Sequence, residues 1–153
     1  MSAWGQGRDE IDGLLSSGSL ERVPPDLESA AALVAKARVH LRSAALLADD
    51  DVDLAYDALH AANRKALTAV LLAQGLRPTR TGGHVAVYDA VRAQLHPPMG
   101  PTLAPYHRIR RARNTGDYHD DLPATGDDVR SDLPLCESIA DVADRVLGRM
   151  PPY

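Results

Sequence analysis

Phenylalanine is absent from the 153 residues, and tryptophan and cysteine occur once each. Without Phe the core must be filled by aliphatic side chains. The supply here is mostly Ala, Leu and Val, and Ala and Leu are the strongest helix formers. The lone Cys136 excludes an internal disulfide and suits a reducing compartment. No apolar run approaches the roughly 18 residues of a membrane span. The opening "MSAWGQGRDE" lacks the basic-then-apolar order of a secretory signal. A positive charge excess is missing too. The formal net charge of −4 excludes a protein that coats nucleic acid with its whole surface, and restricts any contact with RNA to a local patch. These absences lead us to expect a cytoplasmic protein with no membrane partner, and the length fits one domain over 1–153.

Several catalytic signatures are also missing. There is no GxxxxGK[ST] loop, no dinucleotide fingerprint after a strand, no HExxH and no GxSxG. The six histidines (40, 60, 84, 96, 107 and 119) show no metal-ligand spacing, so neither a metal nor a cofactor is expected. The acidic clusters at 49–53, 120–121 and 127–128 read as helix caps and turns.

What is present is punctuation and helical periodicity. "RDEIDGLLSSG" (8–18) predicts a first helix ending at Gly18, and "VPPD" (23–26) a stop followed by an N-cap at Asp26. The Ala- and Leu-rich run from 27 to 48 predicts a second helix. The third, over 54–74 and ended by Gly75, carries two buried faces. One is Tyr56, Leu59, His60, Asn63, Leu67, Val70 and Leu71; the other is Ala55, Ala58, Ala62, Ala66, Ala69 and Ala73. Only the arc around Asp57, Arg64 and Thr68 reads as solvent, so this helix is expected at the centre with a neighbour close against its alanines. Further helices are predicted over 84–95, 104–114 and from a Thr125-x-x-Asp128 capping box to about 149, the last kinked or split by Pro134. No segment sustains strand alternation. The expected class is therefore all-α, an up-and-down helical bundle of five to six helices.

The segment "HRIRRARNTGDYHD" (107–120) holds four arginines in six residues of an acidic protein. On a helical wheel Ile109 and Ala112 mark the buried arc, Arg110 and Arg111 point to solvent, and Arg108 and Arg113 flank the arc. Arg113 is then the arginine to be held partly buried at the helix end. Asn114 suits a helix exit, and Gly116 can turn the chain to bring Tyr118 and His119 back towards it. An arginine offers bidentate donors to a phosphoryl group. A histidine can take a proton from a ribose 2′-hydroxyl or give one to a 5′-oxygen near neutrality. Each chain supplies one such histidine, so a homodimer would present two. The alternative is a solvated helix end, with the guanidinium paired to Asp117 or Asp120. The polar residues His60, Asn63 and His84 are expected as satisfied structural groups or as supports for Arg113 and His119.

The order of "ERVPPDLESAAALVAKARVHLRSA" (21–44), "LAYDALHAANRKALTAVLLAQGLRPTRTGGHVAVYDAV" (54–91) and "RIRRARNTGDYHD" (108–120) resembles a HEPN domain, and more narrowly the actinobacterial HEPN proteins encoded near toxin–antitoxin loci. The resemblance implies a helical homodimer with an R-x(4–6)-H element of each subunit at the interface. It also implies a metal-independent endoribonuclease acting as a toxin, paired in many members with a minimal nucleotidyltransferase (MNT) antitoxin. On that reading Arg113 and His119 are catalytic, and Asn114, Tyr118, Arg108 and Asp117 bind RNA or support the pocket. The spacing here is Arg113-x5-His119. Toxins partnered by MNT proteins more often show R-x4-H-x-Y, whereas Tyr118 stands at the x4 position and Asp120 where the tyrosine would be. The departure keeps open a second expectation: a non-catalytic HEPN module that dimerises or binds a nucleotidyltransferase.

Overall fold

The third predicted helix is the longest element and the one most completely covered. The computed structural model describes residues 4–118 and 124–153, with the backbone alone for residue 84 and residues 114–118. Its helices are α1 (Arg8–Ser16), α2 (Leu27–Leu47), α3 (Val52–Gln74), α4 (Gly83–Leu95), the single turn α5 (Gly100–Leu103), α6 (Pro105–Tyr118) and α7 (Gly126–Val146). The described residues therefore form an all-α helical bundle. α3 packs on α2, α4, α6 and α7, with the α2–α3 hairpin as the most extensive contact. The large-residue stripe from Tyr56 to Leu71 is buried throughout, and so is the alanine face apart from half-buried Ala58. Without side-chain bulk on that face, a neighbouring backbone can approach closely.

Helix boundaries follow local chemistry. Asp26 Oδ1 accepts the Ser29 N–H at 2.9 Å, and Asp51 Oδ1 accepts the Leu54 N–H at 3.0 Å. At Thr125 and Asp128 the reciprocal capping box is complete. α3 ends at Gly75, which takes φ 82; there a Cβ would meet the Val23 carbonyl oxygen at 2.8 Å.

Three features depart from or refine the sequence expectations. A short antiparallel pair, β1 (Leu20–Arg22) and β2 (Leu76–Pro78), joins the two loops that flank α2 and α4, with Glu21 opposite Arg77 and their side chains ion-paired at 2.6 Å. Three-residue strands are too short to show a period of two. α7 runs through Pro134 unsplit. The hydrogen bond lost at a helical proline costs about 3 kcal/mol, and burial of Val129, Cys136, Ile139, Ala140, Val142 and Ala143 offsets it. Thirdly, α6 does not end at Asn114 but continues to Tyr118, through Gly116. A glycine in a helix interior costs only about 1 kcal/mol, and no proline falls between Pro105 and Pro123 to stop the helix.

Two polar devices join elements across the bundle. The buried amides of Gln74 (α3) and Gln94 (α4) donate to each other at 2.7 and 3.0 Å. Tyr153 ties α1 and β1 to α3: its N–H donates to the Gln74 carbonyl at 2.8 Å, its hydroxyl to Asp12 at 2.5 Å, and its ring lies under the guanidinium groups of Arg8 and Arg22. No helix among the described residues is long and apolar enough to cross a membrane.

The alanine face yields a test. Ala66→Leu inserts three carbons at a fully buried position, and overpacking of this kind costs about 1–3 kcal/mol. We expect thermal unfolding to shift down by several degrees; an unchanged midpoint would mean that the neighbour is not held close there.

Candidate functional site

α6 presents its apolar edge to α3 and α4. Tyr106 and Ile109 are fully buried and Ala112 is half-buried. The Tyr106 ring stacks on Tyr88 of α4 with centroids 5.4 Å apart and lies 5.8 Å from the His60 ring of α3. His107 packs edge-on against Tyr88 at 4.2 Å. This aromatic cluster fixes the rotation of α6, and so the side on which its arginines emerge.

Arg113 emerges towards α3. Its Nε donates to Asp57 Oδ1 at 3.0 Å, and its side chain is about one-third exposed, 34 %. Asp57, His60, Ala61, Arg64, Lys65 and Arg113 together line a cleft of about 270 Å³ between α3 and α6. Three basic side chains thus face one carboxylate, beside an imidazole that is only 4 % exposed. Burial pushes the Tyr106 hydroxyl up to about 12, while Arg64 and Arg110 act in the opposite sense. Those two guanidinium groups are therefore felt at the Tyr106 hydroxyl. His107 is held below its ordinary value, chiefly by burial, with Arg110 and Arg111 adding to the effect and Asp89 opposing it.

The other flanking arginine does something different. Arg108 Nη2 pairs at 2.6 Å with Asp132 Oδ1 of α7, whose Oδ2 accepts the Tyr56 hydroxyl at 2.7 Å. Asp132 is buried while Arg108 is half-exposed. The tyrosine proton is held tightly, its pKa raised first by burial and then by Asp132. This network pins α6 to α3 and α7 one and a half turns before Arg113. Next to it, burial pushes the Cys136 thiol up to about 12, against the opposing effect of the Asn63 amide. By distance and angle neither end of that amide has a hydrogen-bond partner among the described residues, so of the two roles expected of Asn63 the satisfied structural one is not met.

The expected site is thus only partly assembled by what is described. Arg113 reaches the cleft, partly buried as expected, and its described carboxylate partner is Asp57 of another helix. Arg108 is not among the residues that line the cleft. Arg111 is exposed as expected, but Arg110 is half-buried. Asn114, Asp117 and Tyr118 belong to the last turn of α6 by backbone, and their side chains lie outside the described residues, as does that of His84. His119 and Asp120 lie outside them altogether. The turn expected at Gly116 is replaced by helix, which runs on to Tyr118, about 7.5 Å along the axis from Arg113.

Sequence reading missed Asp57, which it placed in a solvent arc, and Asp132. The signal for Asp132 was available: it is a carboxylate three residues after buried Val129 and four before buried Cys136, on the inward register of α7. Among the described residues no group of three or more His, Cys, Asp or Glu side chains stands as metal ligands would. Comparison of the chain with protein-family models, with curated proteins and with solved structures finds no match.

The Asp132 network yields the second prediction. Asp132→Ala strands the buried Tyr56 hydroxyl and unpins Arg108. We expect a loss of about 2–4 kcal/mol in denaturant titration, the half-exposed guanidinium keeping it below the cost of breaking a fully buried pair. Tyr56→Phe leaves the ion pair in place and should cost about 1 kcal/mol. Equal losses in the two variants would show that the ion pair adds nothing.

Proposed function

We propose that this chain is a metal-independent endoribonuclease of the HEPN type, the toxin of a toxin–antitoxin pair, acting as a homodimer through Arg113 and His119. The observation that carries the reading is Arg113 itself: a guanidinium oriented by Asp57 at a cleft whose other charged lining groups are Arg64 and Lys65. A cation fixed in advance stabilises charge that develops on a phosphoryl group without reorganising during the reaction. The sequence then supplies His119 six residues on, directly after Tyr118.

The reaction balances without a metal. Neutral His119 takes the proton of a ribose 2′-hydroxyl, and the 2′-oxygen attacks the adjacent phosphorus. An imidazolium protonates the departing 5′-oxygen, leaving a 2′,3′-cyclic phosphate and a 5′-hydroxyl end. Two-fold pairing of the α6 ends supplies one histidine for each proton transfer. Arg113 neutralises the phosphoryl oxygens throughout.

A second reading has its own observation. Tyr118 occupies the x4 position and Asp120 the place of the terminal tyrosine, which favours a HEPN module that binds a nucleotidyltransferase without cleaving RNA. One experiment separates the two. Purified protein is incubated with RNA in EDTA, beside Arg113→Ala and His119→Ala. The nuclease reading expects cleavage with 5′-hydroxyl ends, falling by about 10²–10⁴ in the His119 variant and sharply in the Arg113 variant. Fragments carrying 5′-phosphate, or cleavage untouched by both substitutions, would overturn it. No cleavage together with stable capture of a nucleotidyltransferase would establish the module instead.

A further inference from the structure

The chain has two lysines, Lys36 and Lys65, against fifteen arginines. They are 29 residues apart in sequence, yet the α2–α3 hairpin brings them to one region. α2 and α3 are joined by four residues and pack along their length, so Lys36, near the middle of α2, stands across from the middle of α3, where Lys65 lies. Lys65 and its neighbour Arg64 line the Arg113 cleft. His40 stands four residues, about one turn, after Lys36 on α2. Its imidazole is held below the ordinary value first by partial burial and then by Lys65 and Lys36. Both ammonium groups are therefore felt at a single ring.

Lys36, Arg64 and Lys65 form no ion pair among the described residues, whereas Arg38, Arg77, Arg108, Arg113 and Arg130 all do. Unneutralised cations gathered in a protein of net charge −4 form a local positive strip, continuous with the cleft and leading from it across α3 to α2. A single phosphate at Arg113 does not reach α2; a polyanionic strand running along the strip does.

We propose that Arg64, Lys65, His40 and Lys36 form a second binding segment that holds the sugar-phosphate backbone of a single-stranded nucleic acid beyond the nucleotide at Arg113. The proposal rests on the nucleic-acid reading above but not on catalysis. It assigns these residues to tracking phosphates, with no preference for base sequence.

The test measures binding of a labelled 2′-deoxy 12-mer, which lacks the attacking hydroxyl and cannot be cleaved by this chemistry. The full chain is titrated at several salt concentrations, beside Lys36→Gln, Lys65→Gln and the double variant. Each phosphate contact on a single strand contributes about 0.7 to the slope of log K against log salt, or about fivefold in affinity at 0.1 M. We expect each single variant to lose about that much, and the double variant about twice the slope change. A dinucleotide, too short to leave the cleft, should show no effect of Lys36→Gln. Arg145→Gln, an equal charge change on exposed α7, should leave the slope alone. If Arg145→Gln acts as strongly as Lys36→Gln, only net charge matters and the strip is refuted. If wild type cleaves RNA while both lysine variants bind the 12-mer like wild type, the strip falls and the nuclease reading stands. If no RNA is cleaved but the slopes change as expected, the strip stands without the nuclease.

Discussion

The burial of α3 on nearly all sides is the constraint on which the rest of the bundle depends. A helix covered by α2, α4, α6 and α7 has little surface left for solvated side chains, so its composition is forced. Alanines let one neighbour approach closely, and a stripe of larger residues fills the other side. The few polar groups it retains sit where the neighbours meet: Tyr56 at α7, His60 beside α6 and Gln74 at α4. Its remaining exposed arc, around Arg64, is where the candidate site forms. In this fold the site is a gap in the covering of the central helix.

That origin explains its electrostatics. Buried charges must be paired, and Asp132 is paired twice, with Arg108 and with Tyr56. Charges at the gap are under no such requirement. Asp57 and Arg113 pair across it while Arg64 and Lys65 remain open to solvent or to an anion. Ten of the 21 acidic residues stand at 49–53 and along α7, where Asp141 and Asp127 engage Arg38 and Arg130. A negative protein can in this way present a positive face.

The helices and the two buried faces of α3 were legible in the sequence because a period of 3.6 survives over twenty residues, and because caps such as Asp26, Asp51 and Thr125 act within three residues of themselves. Arg113 was legible as partly buried for the same reason. The rest depended on information that no local window holds. β1 and β2 pair over a separation of more than fifty residues. The Asp57 partner of Arg113 comes from another helix, and the convergence of Lys36 and Lys65 exists only once the hairpin closes. The extension of α6 through Asn114 and Gly116 shows the opposite failure: local breaker signals of about 1 kcal/mol were read as decisive where tertiary context was stronger.

The Gln74–Gln94 pair bears on a different property, that of choosing one arrangement among many. Two amides that exchange hydrogen bonds add little net stability over the water they give up. Any sliding of α4 along α3 would leave four polar atoms in an apolar interior, and such misalignment is heavily penalised. Because both groups are uncharged, the discrimination persists across pH and salt. The pair works as a key that admits a single register, independently of how strongly the lock is held.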